Sequence, residues 1–194
     1  MAITPGGVRL RRPSPADLDA LADLHAWSWR VTYGPLLSEE ERALLTVEER
    51  RGVWARVLAD PRPRESAWLA ELDDRVAGLV WAGGAHDADA GVDPGVEAGE
   101  ILAIHVEPGL HGRGIGGRLL DAAVGDLEDA GFVHATLWVI RENVEARRFY
   151  EGRGWQPDGA AKRAHMGDFA GLPIVEEVRY GLALIERGPP SATR

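Results

Sequence analysis

The spacing of apolar positions changes several times along this 194-residue chain, and each change marks an element. Val8–Arg12 reads as a short strand. Ser14 and Pro15 then mark a helix start, with Ser14 as the cap and Pro15 at the first helical position. Leu18, Leu21, Ala22, Leu24 and His25 recur at helical spacing, which carries this helix to about Trp29. Ser38–Asp60 reads as a second helical stretch, broken by Pro61 and Pro63. Ala67–Glu71 and Val76–Ala82 read as two strands joined tightly through Asp73-Asp74. A polar, glycine-rich loop, Gly83–Gly99, leads to the strand Glu100–Val106. Leu110–Ala130 is helical and Gly131 stops it. A strand over Phe132–Ile140, a short helix over Val144–Glu151, a strand starting at Gly154–Gln156 and a last strand over Ile174–Ile185 complete the order. Residues 1–7 and 188–194 read as flexible ends. With no repeat and no linker, the pattern predicts one mixed α/β domain.

Composition narrows the function classes. A 45% hydrophobic and 27% charged chain is globular, and no apolar run reaches the roughly 20 residues that span a bilayer. A formal charge of −9 argues against nucleic acid as a partner and suits a cationic one. Zero cysteines exclude disulfides and thiolate catalysis, and fit a reducing cytoplasm. Within the long loop, Asp87, Asp89 and Asp93 have the look of a calcium loop, but the turn glycine, Gly91, comes one place early and Ala98 stands where a glutamate is needed. No metal is expected.

Two spaced motifs carry the chemistry. In the first, the strand Glu100–Val106 is followed by Glu107-Pro-Gly and then by His111-Gly-Arg-Gly-Ile-Gly-Gly117, which opens a helix. Glycines let backbone amides turn inward, and the helix start adds its positive end, so the loop suits a pyrophosphate. The letters also match a dinucleotide fingerprint, but five residues, Pro108 among them, separate Val106 from Gly112, and Leu137-Trp138-Val139 stands where a ribose-binding carboxylate belongs. In the second motif, Asn143, Ala146, Phe149 and Tyr150 sit on one short helix ahead of Gly154-Trp155. Asn143 and Tyr150 project from one side of it, about two turns apart.

Together these motifs resemble the acetyl-CoA-binding core of the GCN5-related N-acetyltransferases. The resemblance is specific from Glu100 to Trp155 and looser from Val8 to Ala82; its one departure is His111, where the family carries glutamine or arginine. It implies a mixed, mostly antiparallel sheet of about seven strands, with Glu100–Val106 and Phe132–Ile140 parallel and splayed apart. The pantetheine arm of acetyl-CoA would pair with backbone at Ile104, His105 and Val106, and its pyrophosphate would lie on His111, Gly112, Arg113, Gly114, Ile115, Gly116 and Gly117. Arg118, Arg147 and Arg148 could add charge there, or simply face solvent. Asn143 would bond the arm, with Ala146 allowing close packing.

The implied reaction is direct acetyl transfer to a primary amine, with backbone amides near Val106 stabilising the oxyanion. Glu100 would act as base through water, or merely mark the strand's start; Tyr150 would protonate the departing thiolate. His105 is a competing base, but strand alternation puts it on the face opposite Glu100. Trp27, Trp29, Tyr33, Trp81 and Glu100 would border the acceptor, although Trp29 is equally readable as core. The expected partner is a small-molecule or protein amine; neither nucleic acid nor membrane is expected. A homodimer is common in such a family. The alternative on the same fold is a non-catalytic acyl-CoA-binding module.

Overall fold

The computed structural model describes residues 7–87, 89–90, 96–168 and 171–184. Of the two ends expected to be flexible, residues 1–7 and 188–194, only Gly7 falls among the described residues, and the rest lie outside them. Seven strands form one sheet: β1 (Arg9–Arg11), β2 (Ser66–Leu72), β3 (Arg75–Gly84), β4 (Gly99–Val106), β5 (His134–Ile140), β6 (Gln156–His165) and β7 (Ile174–Ala183). Their order is β1-β2-β3-β4-β5-β7-β6, and every neighbouring pair is antiparallel except β4 and β5.

Five α-helices flank the sheet: α1 (Leu18–Tyr33), α2 (Glu39–Ala43), α3 (Val47–Ala59), α4 (Ile115–Asp129) and α5 (Val144–Glu151). The second helical stretch is therefore two helices. Thr46 caps α3 by accepting from the Glu49 amide at 3.3 Å, and its extended backbone breaks the run. On one face of the sheet, α4 and α5 bury Ile115, Leu119, Leu120, Leu127 and Tyr150 against Val80, Ile101, Leu137 and Tyr180. On the other, α1 and α3 bury Leu21, Leu24, Trp54 and Val57 against Leu69 and Leu79. A third cluster, Leu37, Leu45, Ile140, Met166 and Leu172, closes the β7 end.

The parallel pair sets up the site. β4 and β5 are matched only at Gly99↔Ala135 and Glu100↔Thr136, and then they separate. The separation starts at a bulge: Trp81 faces Ala103 while Ala82 faces Ile101, so Leu102 is an extra residue in β4. A bulge of this kind bends and twists its strand. It also resets which way the side chains point. Glu100 lies across from Gly83 and His105 across from Leu79, positions four apart on β3 and therefore on one face. His105 consequently shares the α1/α3 face with Glu100, contrary to the expectation from simple alternation.

Candidate active site

The gap between β4 and β5 opens into a cavity of about 1080 Å³ that runs from the glycine loop, past α5, to the α1/α3 side of the sheet. Both sequence motifs line it. Glu107 donates its amide to Ala77 of β3 at 2.9 Å. Since backbone groups alternate along a strand, Val106 and Ile104 turn theirs into the gap. The Val106 carbonyl is met there by His111 Nε2 at 3.1 Å. His111, the departure from the family pattern, thus closes the end of β4 and leaves the Ile104 amide and carbonyl and the Val106 amide facing the cavity.

The glycine loop fits a phosphate for a backbone reason. Gly114 is the N-cap of α4 with φ 78°, and Gly112 has φ 74°, both in the left-handed region where a side chain is strained. This turn aims the first free amides of a 15-residue helix at the cavity mouth, where an anion is favoured. Gly112, Gly114, Ile115, Gly116 and Gly117 line the cavity. The arginines divide differently from expectation. Arg118 turns away to the Val8 carbonyl at 2.8 Å, and Arg147 is committed to the Tyr180 hydroxyl and the Arg141 carbonyl. Arg113 is exposed and outside the lining. Arg153, which sequence reasoning missed, is the arginine that lines this end, held by Asp121 at 2.8 Å and lying over Phe149. Arg153 lies in the turn just past the end of α5, and its basic side chain at the close of the second motif was the available signal.

On α5, Asn143 is the N-cap. Its Oδ1 accepts from the Ala146 amide at 3.1 Å and its Nδ2 donates to the Tyr33 hydroxyl at 3.1 Å. Ala146 and Asn143 both line the cavity. Tyr150 is buried between Phe149, Trp155 and Tyr180, yet it reaches the cavity wall. Burial, followed by the nearby Tyr33 phenol, holds its own phenol well above the ordinary value, so the hydroxyl stays protonated.

Glu100 is 7% exposed, and the second donor set found here belongs to the loop before it. The His86 amide donates to Glu100 Oε2 at 3.0 Å, and His86 Nδ1 lies 3.3 Å from the same oxygen. Among the described residues Oε1 has no such pair of donors. Arg62 meets His86 Nε2 at 3.1 Å. The long loop thus borders the cavity through His86 and Asp87. Its described carboxylates are engaged by protein groups: Asp87 accepts from Trp138 Nε1 at 2.6 Å, and Asp89 from Arg179 at 2.8 Å. The remaining calcium-loop positions Gly91 and Asp93 lie outside the described residues. Among the described residues no cluster of three or more metal-type side chains occurs, and no helix is long and apolar enough to cross a membrane.

Of the four aromatics expected around the acceptor, the structure gathers three. Trp29, Tyr33 and Trp81 line the cavity, with Trp29 and Tyr33 rings 4.8 Å apart. Trp29 also packs against the third core cluster, and Gly167, at φ 62°, is closed over it so that any Cβ would collide with the ring. Trp27 does not join them: it is 43% exposed on the outer side of α1, two residues and about 200° around the helix from Trp29. Arg50 from α3 is buried, lies over the Trp29 ring at 4.7 Å and lines the cavity. His105 stacks on His25 of α1, ring centroids 4.4 Å apart. Burial first, then the Arg50 charge, lowers His105 to about 3, and burial holds His25 well below the ordinary value, so both rings are neutral. His105 in this state is a poor base.

Residues 18–155 match the acetyltransferase (GNAT) family model. The chain belongs to the GNAT family. A mycothiol acetyltransferase of Beutenbergia cavernae is 32% identical over 155 residues, covering 79% of this chain and 46% of that protein. A protein named as a probable N-acetyltransferase of Mycobacterium tuberculosis is 28% identical, covering 80% of this chain and 83% of its own length. The GNAT chain described here therefore spans about half the length of some of the curated relatives it matches. Among solved structures, PaiA N-acetyltransferase of Thermoplasma acidophilum in complex with coenzyme A superimposes with a TM-score of 0.62 at 21% identity, over 88% of this chain and 97% of that one, which shows the shared fold.

Proposed function

We propose that this GNAT chain transfers an acetyl group from acetyl-CoA directly to a primary amine. The observation that carries the reading is one cavity holding three things together: unpaired β4 backbone at Ile104 and Val106, an anion-suited helix start at Gly114, and a buried carboxylate and phenol at Glu100 and Tyr150. The backbone edge takes the pantetheine arm as a strand would, and the loop amides with Arg153 take the pyrophosphate.

Acyl transfer needs an amine lone pair, so an ammonium must first lose a proton. Glu100 Oε1 accepts it, directly or through one water, while His86 holds Oε2. The amine nitrogen then bonds to the thioester carbonyl carbon, with the Val106 amide facing the developing oxyanion. Glu100 passes that first proton on to solvent; when the carbon–sulfur bond breaks, the Tyr150 hydroxyl donates to the thiolate, and the proton shed by the nitrogen restores the phenol, directly or through water. Positioning of two substrates supplies the larger share of the acceleration.

Calorimetric titration with acetyl-CoA, using NAD as the control ligand, followed by an amine panel read as free-thiol release, tests the proposal. Micromolar binding of acetyl-CoA alone with amine-dependent thiol release is expected. Binding without release for any amine would leave an acyl-CoA-binding module in its place, and preference for NAD would overturn the reading.

A further inference from the structure

The acceptor half of the cavity contains a buried polar group that the transfer chemistry does not use. His25 is 4% exposed, sits on α1 and lines the cavity. The Trp54 indole N–H donates to His25 Nδ1 at 3.2 Å. An indole nitrogen can only donate, so Nδ1 carries no proton and the ring is the Nε2–H tautomer. Among the described residues no acceptor meets that Nε2–H, and it is not one of the fully enclosed unpaired atoms, so it stays open to the cavity that His25 lines. A neutral donor held in this way is available to an acceptor entering the cavity.

The surroundings indicate what kind of group that is. His105 and Glu100 share this face because of the Leu102 bulge, and Arg50 contributes a positive potential that disfavours protonation of both imidazoles. One wall therefore offers a carboxylate suited to an ammonium and, on α1 against His105, a neutral N–H donor in a positive potential suited to an oxygen. A second ammonium at that end would meet the Arg50 charge and be repelled.

We propose that His25 is a specificity-determining residue whose Nε2–H bonds a carbonyl or carboxylate oxygen carried next to the acceptor amine, so that the acceptor is an aminoacyl compound and not a plain alkylamine or polyamine. The inference rests on the acetyl-transfer reading. The oxygen can belong to a free amino acid or to an amide, and the test separates these sources.

Thiol release is measured with glycinamide, glycine, ethylamine and putrescine, each rate expressed per unprotonated amine, for the wild type, His25→Phe and His25→Gln. Loss of one neutral hydrogen bond is expected to change kcat/KM about tenfold. The wild type should prefer glycinamide or glycine over ethylamine and putrescine by about that factor. His25→Phe should erase the preference with the KM for acetyl-CoA unchanged, and His25→Gln, whose amide nitrogen reaches the Nε2 position, should keep part of it. Equal use of ethylamine, or a preference that survives His25→Phe, overturns the proposal. A second readout works without turnover: the ring N–H signal of His25 in the wild type should move on addition of glycinamide and stay still with ethylamine. If acetyl-CoA neither binds nor is consumed, the transfer reading falls, while this signal still decides the fate of the oxygen subsite; no movement with glycinamide or glycine overturns it.

Discussion

Tyr150→Phe separates a catalytic phenol from a packing one, because the two roles predict changes in different quantities. The ring is 8% exposed and its aromatic contacts with Phe149, Trp155 and Tyr180 survive the substitution. The hydroxyl is pushed above its ordinary value by burial and by Tyr33, and it opens on the cavity instead of being sealed in the core. Its removal should therefore change stability by no more than about 0.5 kcal/mol. At this chain length that keeps Tm within about 2 °C of the wild type. A proton donor in the transition state contributes about 10²–10⁴-fold, so kcat should fall at least about a hundredfold, equivalent to about 2.7 kcal/mol of barrier. Thiol release under saturating acetyl-CoA and a thermal melt of the same preparations measure both. A variant as stable as the wild type and much slower is the expected outcome, and kcat of the wild type should show no loss from phenol ionisation up to about pH 10. The reasoning is refuted by kcat within about twofold of wild type, or by a clear fall in Tm, which would mean that the hydroxyl is bonded and structural.

Glu100→Gln keeps an oxygen for His86 but removes the proton acceptor; the amine-dependent kcat/KM should fall about a hundredfold at neutral pH and recover as the pH approaches the amine's own pKa, with acetyl-CoA affinity unchanged in calorimetry. A deficit that is flat with pH would remove the base role. Gly114→Ala forces a side chain into φ 78°, which costs about 1–2 kcal/mol, and it should weaken acetyl-CoA binding about tenfold while lowering Tm. For acid stability the sign follows from two depressed histidines. His25 and His105, lowered to about 3 in the latter case, stay neutral in the fold while the unfolded chain takes protons below about pH 6.5. Stability is complete above that value and is lost as the pH falls, with a slope of up to about 2.7 kcal/mol per unit for two protons. Denaturant melts between about pH 4 and 7 check this, and His105→Asn should roughly halve the slope.

What the chain's pattern reveals and what it hides follow from where the information sits. The helices and the inner strands are legible because their apolar residues report burial, at helical spacing on one face in Leu18–His25 and as a short apolar run covered on both faces in Ala67–Glu71. Strand β6, Gln156–His165, is legible only at its start, because it is an exposed edge strand whose residues carry no alternating apolar signal. Aromatic identity does not distinguish Trp27 from Trp29; that depends on where α1 meets the sheet. The glycine loop and the Asn143–Tyr150 helix are legible because they are local motifs in which spacing alone determines direction.

The acceptor side is different in kind. Its decisive feature is one extra residue, Leu102, in an otherwise ordinary apolar strand, and a bulge is a property of the pairing with β3 and not of β4's own sequence. Without it, His105 would turn to the α4 face and lose its stack on His25, while Glu100 stayed with α1 and α3. The same residue ends the β4–β5 pairing that Glu100 closes. Opening the cavity and choosing which side chains of β4 face the amine are therefore one event in the fold, and deleting Leu102 should remove acetyl-CoA binding and the His25–His105 contact together.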